Sequence, residues 1–311
     1  MAERINRAIE LLSQGQPLYY TGGHTGSPCT ADTRPSGTLT AHDSPVLTHE
    51  QGTIDAATWA DYINVGFEHG AYDLPGLQRY LGGLVDGGPT RSGHRTPPII
   101  VEAPVGGYSR EVVWANLWQF QQILGRGAHG IMLCQATTAD AVRAFVEACR
   151  YPVNRLGVGD GLGVGMRGVG SERSAARIWG VDRATYLAKA DPWPLNPAGE
   201  LLLGVKIESQ AAIPHIEEIL AVPGIGYAEM GPGDMSLSLG YRNLPDPWPD
   251  EMVELDRRVQ AACREHGVAF HWTHVIDDLP AMIDRGGQVF TCPSPDFAAA
   301  GRAYTKRTMP V

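Results

Sequence analysis

Two carboxylates sit where a barrel enzyme does its chemistry. Glu208 closes an apolar run that reads as a strand, and Asp234 follows the next run across the turn Gly231-Pro232-Gly233. In a (β/α)8 barrel the reacting groups project from the C-terminal ends of the strands. One carboxylate from each of two adjacent strand ends is a natural seat for a hard divalent cation completed by water and substrate oxygens. Spacing alone leaves a second reading open, because Glu and Asp also suit the first turn of a following helix.

The elements that must position these groups follow from an alternation of short apolar runs with helical patterns. Strands are predicted at 18–22, 62–68, 99–103, 130–134, 201–208, 226–230, 268–272 and 288–292, with 54–65 alternatively a helix ending at Gly66. Helices are predicted over 111–124, 139–150 and 251–266, the last stopped by Gly267. Strand–helix alternation argues for a parallel sheet, and eight strands argue for closure into a TIM barrel, fold class α/β. A doubly wound open sheet competes, but no GxGxxG follows the first strand. Two irregular stretches, about 24–52 and 155–166, read as inserts of the lid or binding-loop kind within a single barrel domain spanning 1–311. The charged residues 2–10 read as a surface helix rather than a secretion signal.

Composition removes several function classes. The 311 residues carry 25 Lys+Arg against 34 Asp+Glu, a net charge of −9, with 43% hydrophobic residues. That apolar content supports a full core and excludes wholesale disorder. The negative balance argues against a phosphate-backbone binder, so no nucleic-acid partner is expected. No apolar run is long enough to span a membrane. Five scattered cysteines without a CxxC pair imply neither a zinc knuckle nor a disulfide framework, and fit reduced thiols in the cytoplasm.

The stretch GVKIESQAAIPHIEEILAVPGIGYAEMGPGDMSLSLG, residues 204–240, resembles the signature of the HpcH/HpaI aldolase family. Ile207-Glu208, Val222-Pro223-Gly224-Ile225 and Gly231-Pro232-Gly233-Asp234-Met235-Ser236 occupy the family's blocks in order. Phe67-Glu68-His69-Gly70, Arg150-Tyr151-Pro152 and Arg167-Gly168-Val169-Gly170-Ser171 agree, so the likeness covers roughly 55–305. The resemblance implies a metal-dependent, class II pyruvate aldolase on a (β/α)8 barrel. Glu208 and Asp234 would ligate Mg2+ or Mn2+, with Co2+ a further candidate. The backbone of Gly231, Pro232 and Gly233 would receive the carboxylate of a 2-oxo acid. His69 would be the general base, and Glu68 would orient it or hold a metal-bound water. Arg167 falls on the substrate side. An aldehyde is the second small-molecule partner. The last helix, Pro295 to Arg307, would swap between subunits of a hexamer or trimer.

Three departures from that pattern matter. Gly66 stands where the family has an aspartate three residues before the histidine. Glu102 replaces the arginine at the end of the third strand, and Lys206 replaces a glutamine two residues before the metal glutamate. Lys206 and Glu208 share a strand face. Lys206 is therefore expected to supply the cation that Glu102 removed, with a Lys206–Glu102 salt bridge or a Schiff base as alternatives. The expected activity is aldol cleavage or formation of a 4-hydroxy-2-oxo acid through a metal-bound, pyruvate-type enolate. A decarboxylase or C–C bond-forming synthase, as in macrophomate-synthase-like relatives, is the first alternative, and a non-catalytic ligand-binding barrel the second. His271 and Trp272 either line the pocket or form a structural pair. Cys134 reads as a small core residue, Trp114 and Trp118 as core or inter-subunit contacts. The loop 86–96 is a solvated turn, or else its basic residues reach a substrate tail.

Overall fold

The computed structural model describes residues 2–23, 44–273, 278–292 and 294–311. Eight parallel strands form the barrel: β1 (Leu18–Gly23), β2 (Tyr62–Gly66), β3 (Ile99–Glu102), β4 (Gly130–Leu133), β5 (Leu201–Ile207), β6 (Tyr227–Met230), β7 (Ala269–Trp272) and β8 (Gly287–Thr291). β1 pairs with both β2 and β8, and β4 pairs with β5, so the sheet closes on itself. A two-residue strand, Pro192–Trp193, adds to the outer edge of β5. All eight expected strands are present, each within a few residues of its predicted limits. Residues 62–66 are strand, and the helix drawn through 54–65 is instead His49–Asp55.

Parallel strands covered on both faces bury nearly every side chain, and the burial patterns of β2 to β7 contain no exposed position. Two apolar clusters result. One lies between the strands and the helix ring. The other fills the barrel interior with Tyr20, Tyr62, Ile100, Met132, Cys134, Leu202 and Tyr227.

Two expectations need correction. The N-terminal segment is no surface helix: Arg7–Ser13 plugs the base of the barrel, with Arg7, Ala8, Ile9 and Glu10 buried. Its charges are satisfied inside, Arg7 on the Ala60 and Asp61 carbonyls and Glu10 on His94 Nε2 at 3.0 Å. The helix expected over 111–124 is two, Arg110–Ala115 and Leu117–Arg126. Asn116 breaks it by donating its side-chain amide to Val112 O, an alternative to regular helix pairing. The loop 86–96 precedes β3, at the base, where Arg95 donates to Ile178 O and Arg91 to Val311 O, away from any substrate at the mouth. Helices Glu172–Trp179 and Arg183–Lys189 were not anticipated.

Of the first insert, 24–43 lies outside the described residues. The second is a packed loop: a bridge joins Val158 to Leu162, and the Gly163 N–H donates to Glu147 Oε1 at 2.8 Å. Both its ends meet at Arg150, fully buried, which donates to Asp191 through Nε (2.6 Å) and Nη2 (3.1 Å) and to Leu156 O through Nη1 (2.8 Å). Within one chain Arg302 of the C-terminal helix Pro295–Tyr304 and Arg307 beyond its end both bind Asp61, at 3.2 and 2.7 Å.

A half-buried acid adds to the dependence of stability on pH. Asp256, in the helix Asp250–His266, has a buried Oδ1 with no hydrogen-bond partner, and burial pushes its carboxyl up to about 7. The folded state therefore keeps this proton where an unfolded aspartate, with a pKa near 4, has lost it. Stability should fall as pH rises from about 4 through about 7, by on the order of 2–4 kcal/mol. Asp256→Asn is expected to flatten that slope in urea melts at pH 5 and pH 8. An unchanged slope would remove Asp256 as its source.

Candidate active site

The mouth of the barrel gathers side chains that are far apart in the sequence. Glu208 follows β5, and Gly231 follows β6 beside it. A Cβ on Gly231 would lie 2.2 Å from Glu208 Oε2, so only glycine leaves the carboxylate room. The Gly231 N–H is spent on Ile207 O at 3.1 Å, and Pro232 has no N–H to give. Gly233 and Asp234 are left to present N–H groups at the start of helix Pro232–Ser238, and open space adjoins Gly233. Of the three backbone positions expected to receive an anion, Gly233 is thus the one equipped to donate.

Gln135 ties the two carboxylates together. Its backbone N–H donates to Glu208 Oε1 at 2.7 Å and its side-chain amide to Asp234 Oδ2 at 2.8 Å. The residue adopts a left-handed backbone, φ 52°, to make both bonds. Sequence reasoning passed it over, although its place two residues past β4 obeys the strand-end rule that found Glu208. Tyr108, in the loop after β3, was missed too. Its side chain is more than half exposed, and burial first, then the charges of Glu68, Glu208 and Asp234, raise its phenol pKa.

Glu68 and His69, just past β2, complete the mouth. His69 Nε2 lies 3.6 Å from Glu68 Oε2; the imidazole is half exposed and the carboxylate nearly buried. One ligand atom from each of Glu68, His69 and Asp234 falls within 4.8 Å of the others, and the same holds for Glu68, Cys134 and Glu208. Cys134, expected as core filler, is indeed buried but faces this cluster.

Lys206 Nζ lies 2.9 Å from Glu68 Oε2 and 3.3 Å from Glu102 Oε1, with all three side chains at most one-tenth exposed. The Lys206–Glu102 salt bridge, the alternative to a free electrophile, is what forms. Beneath it Glu229 sits level with Lys206 on β6 and pairs with His271 Nδ1. His271 Nε2 meets Thr291 Oγ1 at 3.1 Å, which Tyr20 OH reaches at 2.7 Å. His271 therefore belongs to a buried interior network rather than to the pocket wall. Arg167 is placed elsewhere: buried outside the barrel, its guanidinium 4.1 Å above the Tyr151 ring and bonded to Tyr186 OH at 3.0 Å. Within one chain it does not join the carboxylates at the mouth.

The electrostatics suit a bound cation. Among the described residues, Glu68, Glu102, Glu208 and Glu229 face Lys206 as their one lysine, and Asp234 adds a further carboxylate beside Glu68 and His69. Burial pushes the Glu208 carboxyl up to about 8; Lys206 opposes the shift and Glu68 adds to it. A carboxylate this costly to ionise is stabilised by a divalent ion, whose binding displaces the proton. The donor set is oxygen-rich with one imidazole, which fits Mg2+ or Mn2+. Glu208, Asp234 and Glu68 would hold it, with Gln135 fixing two of them.

Carboxylates and a histidine at the C-terminal mouth of a closed barrel define a (β/α)8 enzyme. Comparison with known proteins sharpens the class. Residues 112–292 match the model of the HpcH/HpaI aldolase/citrate lyase family. A 2-keto-3-deoxy-L-rhamnonate aldolase of Escherichia coli is 34% identical over 216 residues, 69% of this chain and 68% of that protein. One from Klebsiella pneumoniae is 29% identical over 219 residues, with the same coverage. An HpcH/HpaI family protein from Burkholderia cenocepacia superposes with a TM-score of 0.64 at 22% identity over 97% of each chain. Macrophomate synthase gives 0.58 at 18%, over 98% of this chain and 89% of that one. These two structures show the shared fold. The chain belongs to the HpcH/HpaI aldolase/citrate lyase family and is an aldolase-type lyase.

Proposed function

We propose that this protein is a divalent-metal-dependent carbon–carbon lyase that cleaves or forms a 4-hydroxy-2-oxo acid through a pyruvate-type enolate. The observation that carries the reading is that Gln135 bridges Glu208 and Asp234, while Glu68 shares one donor group with His69 and Asp234 and another with Cys134 and Glu208. A divalent cation in that seat supplies Lewis-acid polarisation of the 2-oxo group. The Gly233 and Asp234 N–H groups take the substrate carboxylate at the helix start. His69 moves the proton at the 4-hydroxyl oxygen, with Glu68 holding the imidazole in place. The exposed Trp114, Trp118, Val164, Met166 and Val169 support a homo-oligomer, hexamer or trimer, that covers them. Among the described residues no helix is long and apolar enough to cross a membrane.

A second reading, a decarboxylase or C–C bond-forming synthase using the same enolate, is favoured by one observation. Lys206 spends its charge on Glu102 and Glu68 rather than on an aldehyde oxygen. Two assays separate the readings: Mn2+-dependent release of pyruvate from a 4-hydroxy-2-oxo acid, and Mn2+-dependent loss of CO2 from oxaloacetate. Under the first reading His69→Asn should lower pyruvate release by ~10²–10⁴-fold, the usual worth of a general base. Its melting temperature should not move, because the ring is half exposed. Full activity in that variant would remove His69 from the chemistry.

A further inference from the structure

The Lys206 ammonium rests against donors that could themselves hold a metal. Sγ of Cys134 and one oxygen each of Glu68 and Glu208 lie within 4.8 Å of one another, and Lys206 Nζ is 2.9 Å from Glu68 Oε2. The thiol and both glutamates come from β4, β2 and β5, three separate strand ends on one rim. We propose that Lys206 occupies a second cation position at this mouth, a covalently attached substitute for a second divalent ion, so that a ligand set able to hold two metals holds one metal and one ammonium.

Three observations support this. The metal seat proposed above, Glu68, Glu208 and Asp234, shares Glu68 and Glu208 with this second group, which adds the Cys134 thiol. Paired carboxylate sites of this kind hold two ions a few ångströms apart, bridged by a common carboxylate. Lys206 Nζ also lies 3.3 Å from Glu102 Oε1, and Glu229 sits level with it on the neighbouring strand β6. A neutral side chain at 206 would leave these acids facing each other with no cation, a costly arrangement inside a protein. A fixed ammonium has a consequence that an exchangeable ion lacks: one positive charge at the mouth survives chelation.

The inference deepens the metal reading above, and the test separates the two. Purified wild-type protein and the variants Lys206→Ala, Lys206→Met and Lys206→Arg are titrated with Co2+, reading bound equivalents and the near-ultraviolet thiolate-to-cobalt charge-transfer band. Wild type and Lys206→Arg should bind one equivalent without that band. Lys206→Ala and Lys206→Met should bind one more than wild type, with the band, and Cys134→Ser in the same background should abolish it. If the neutral variants fold poorly, Co2+ should restore folding and raise their melting temperature more than that of Lys206→Arg. Equal stoichiometry in all four proteins, a thiolate band already present in wild type, or neutral variants that Co2+ does not restore would each overturn the proposal. Wild type binding no ion while Lys206→Ala binds one with the band would uphold it and sink the metal reading instead.

Discussion

Glu208→Gln is expected to reduce turnover by about 10³-fold or more. A ligating carboxylate contributes to several kcal/mol of transition-state charge stabilisation, and each 1.36 kcal/mol is tenfold in rate. The substitution keeps the side chain's size, so the space beside Gly231 is still filled, and the amide oxygen can still accept the Gln135 N–H. What it removes is the negative charge. The variant should therefore fold as the wild type does while its affinity for Mn2+ drops. Measuring Mn2+ binding and pyruvate release on the same preparation tests both halves. A Glu208→Gln protein that binds Mn2+ as tightly as the wild type would take Glu208 out of the metal seat and return it to helix capping.

The second large effect is on stability. Arg150→Met should cost about 3–5 kcal/mol, because it strips the partner from a carboxylate that has no access to water. Asp191 and Arg150 are both fully buried, joined by two hydrogen bonds, and the third Arg150 bond anchors Leu156 at the start of the second insert. Asn196 reaches Asp191 Oδ2 at 3.1 Å but brings no charge to replace the guanidinium. Adding Asp191→Leu to Arg150→Met is expected to recover part of the loss, since no buried charge is then left unpaired. Urea unfolding of the two variants checks this. A single variant within about 1 kcal/mol of wild type would mean that water enters the site and the pair is not dry.

The strand list was legible because the strands of a closed parallel barrel are covered on both faces. They therefore stand out as short apolar runs, as in residues 99–101 and 201–203. Their ends pointed to Glu208 and Asp234 for the same topological reason. The helix over 111–124 misled because its apolar period runs straight through Asn116, and periodicity carries no record of a side-chain amide that turns back on Val112 O. The N-terminal helix misled in the opposite sense. Its charges suggested solvent, yet Arg7 and Glu10 find their partners on Asp61 and His94, dozens of residues away.

By itself the sequence determined the barrel, its family, and the strand-end carboxylates Glu208 and Asp234, since each is written in local pattern or in ordered motifs. The tertiary structure alone decided how their neighbours are spent. Residues 68, 102, 134, 135 and 206 are brought to one rim by closure of β4 on β5, a contact that no local spacing encodes. That closure joins Lys206 to Glu102 and Glu68 rather than leaving its charge for a substrate. It also puts Gln135 between the two carboxylates and sends Arg167 out among the helices. Pairing energies depend on distance and burial in three dimensions, so the charges could be counted from the sequence but their partners could not.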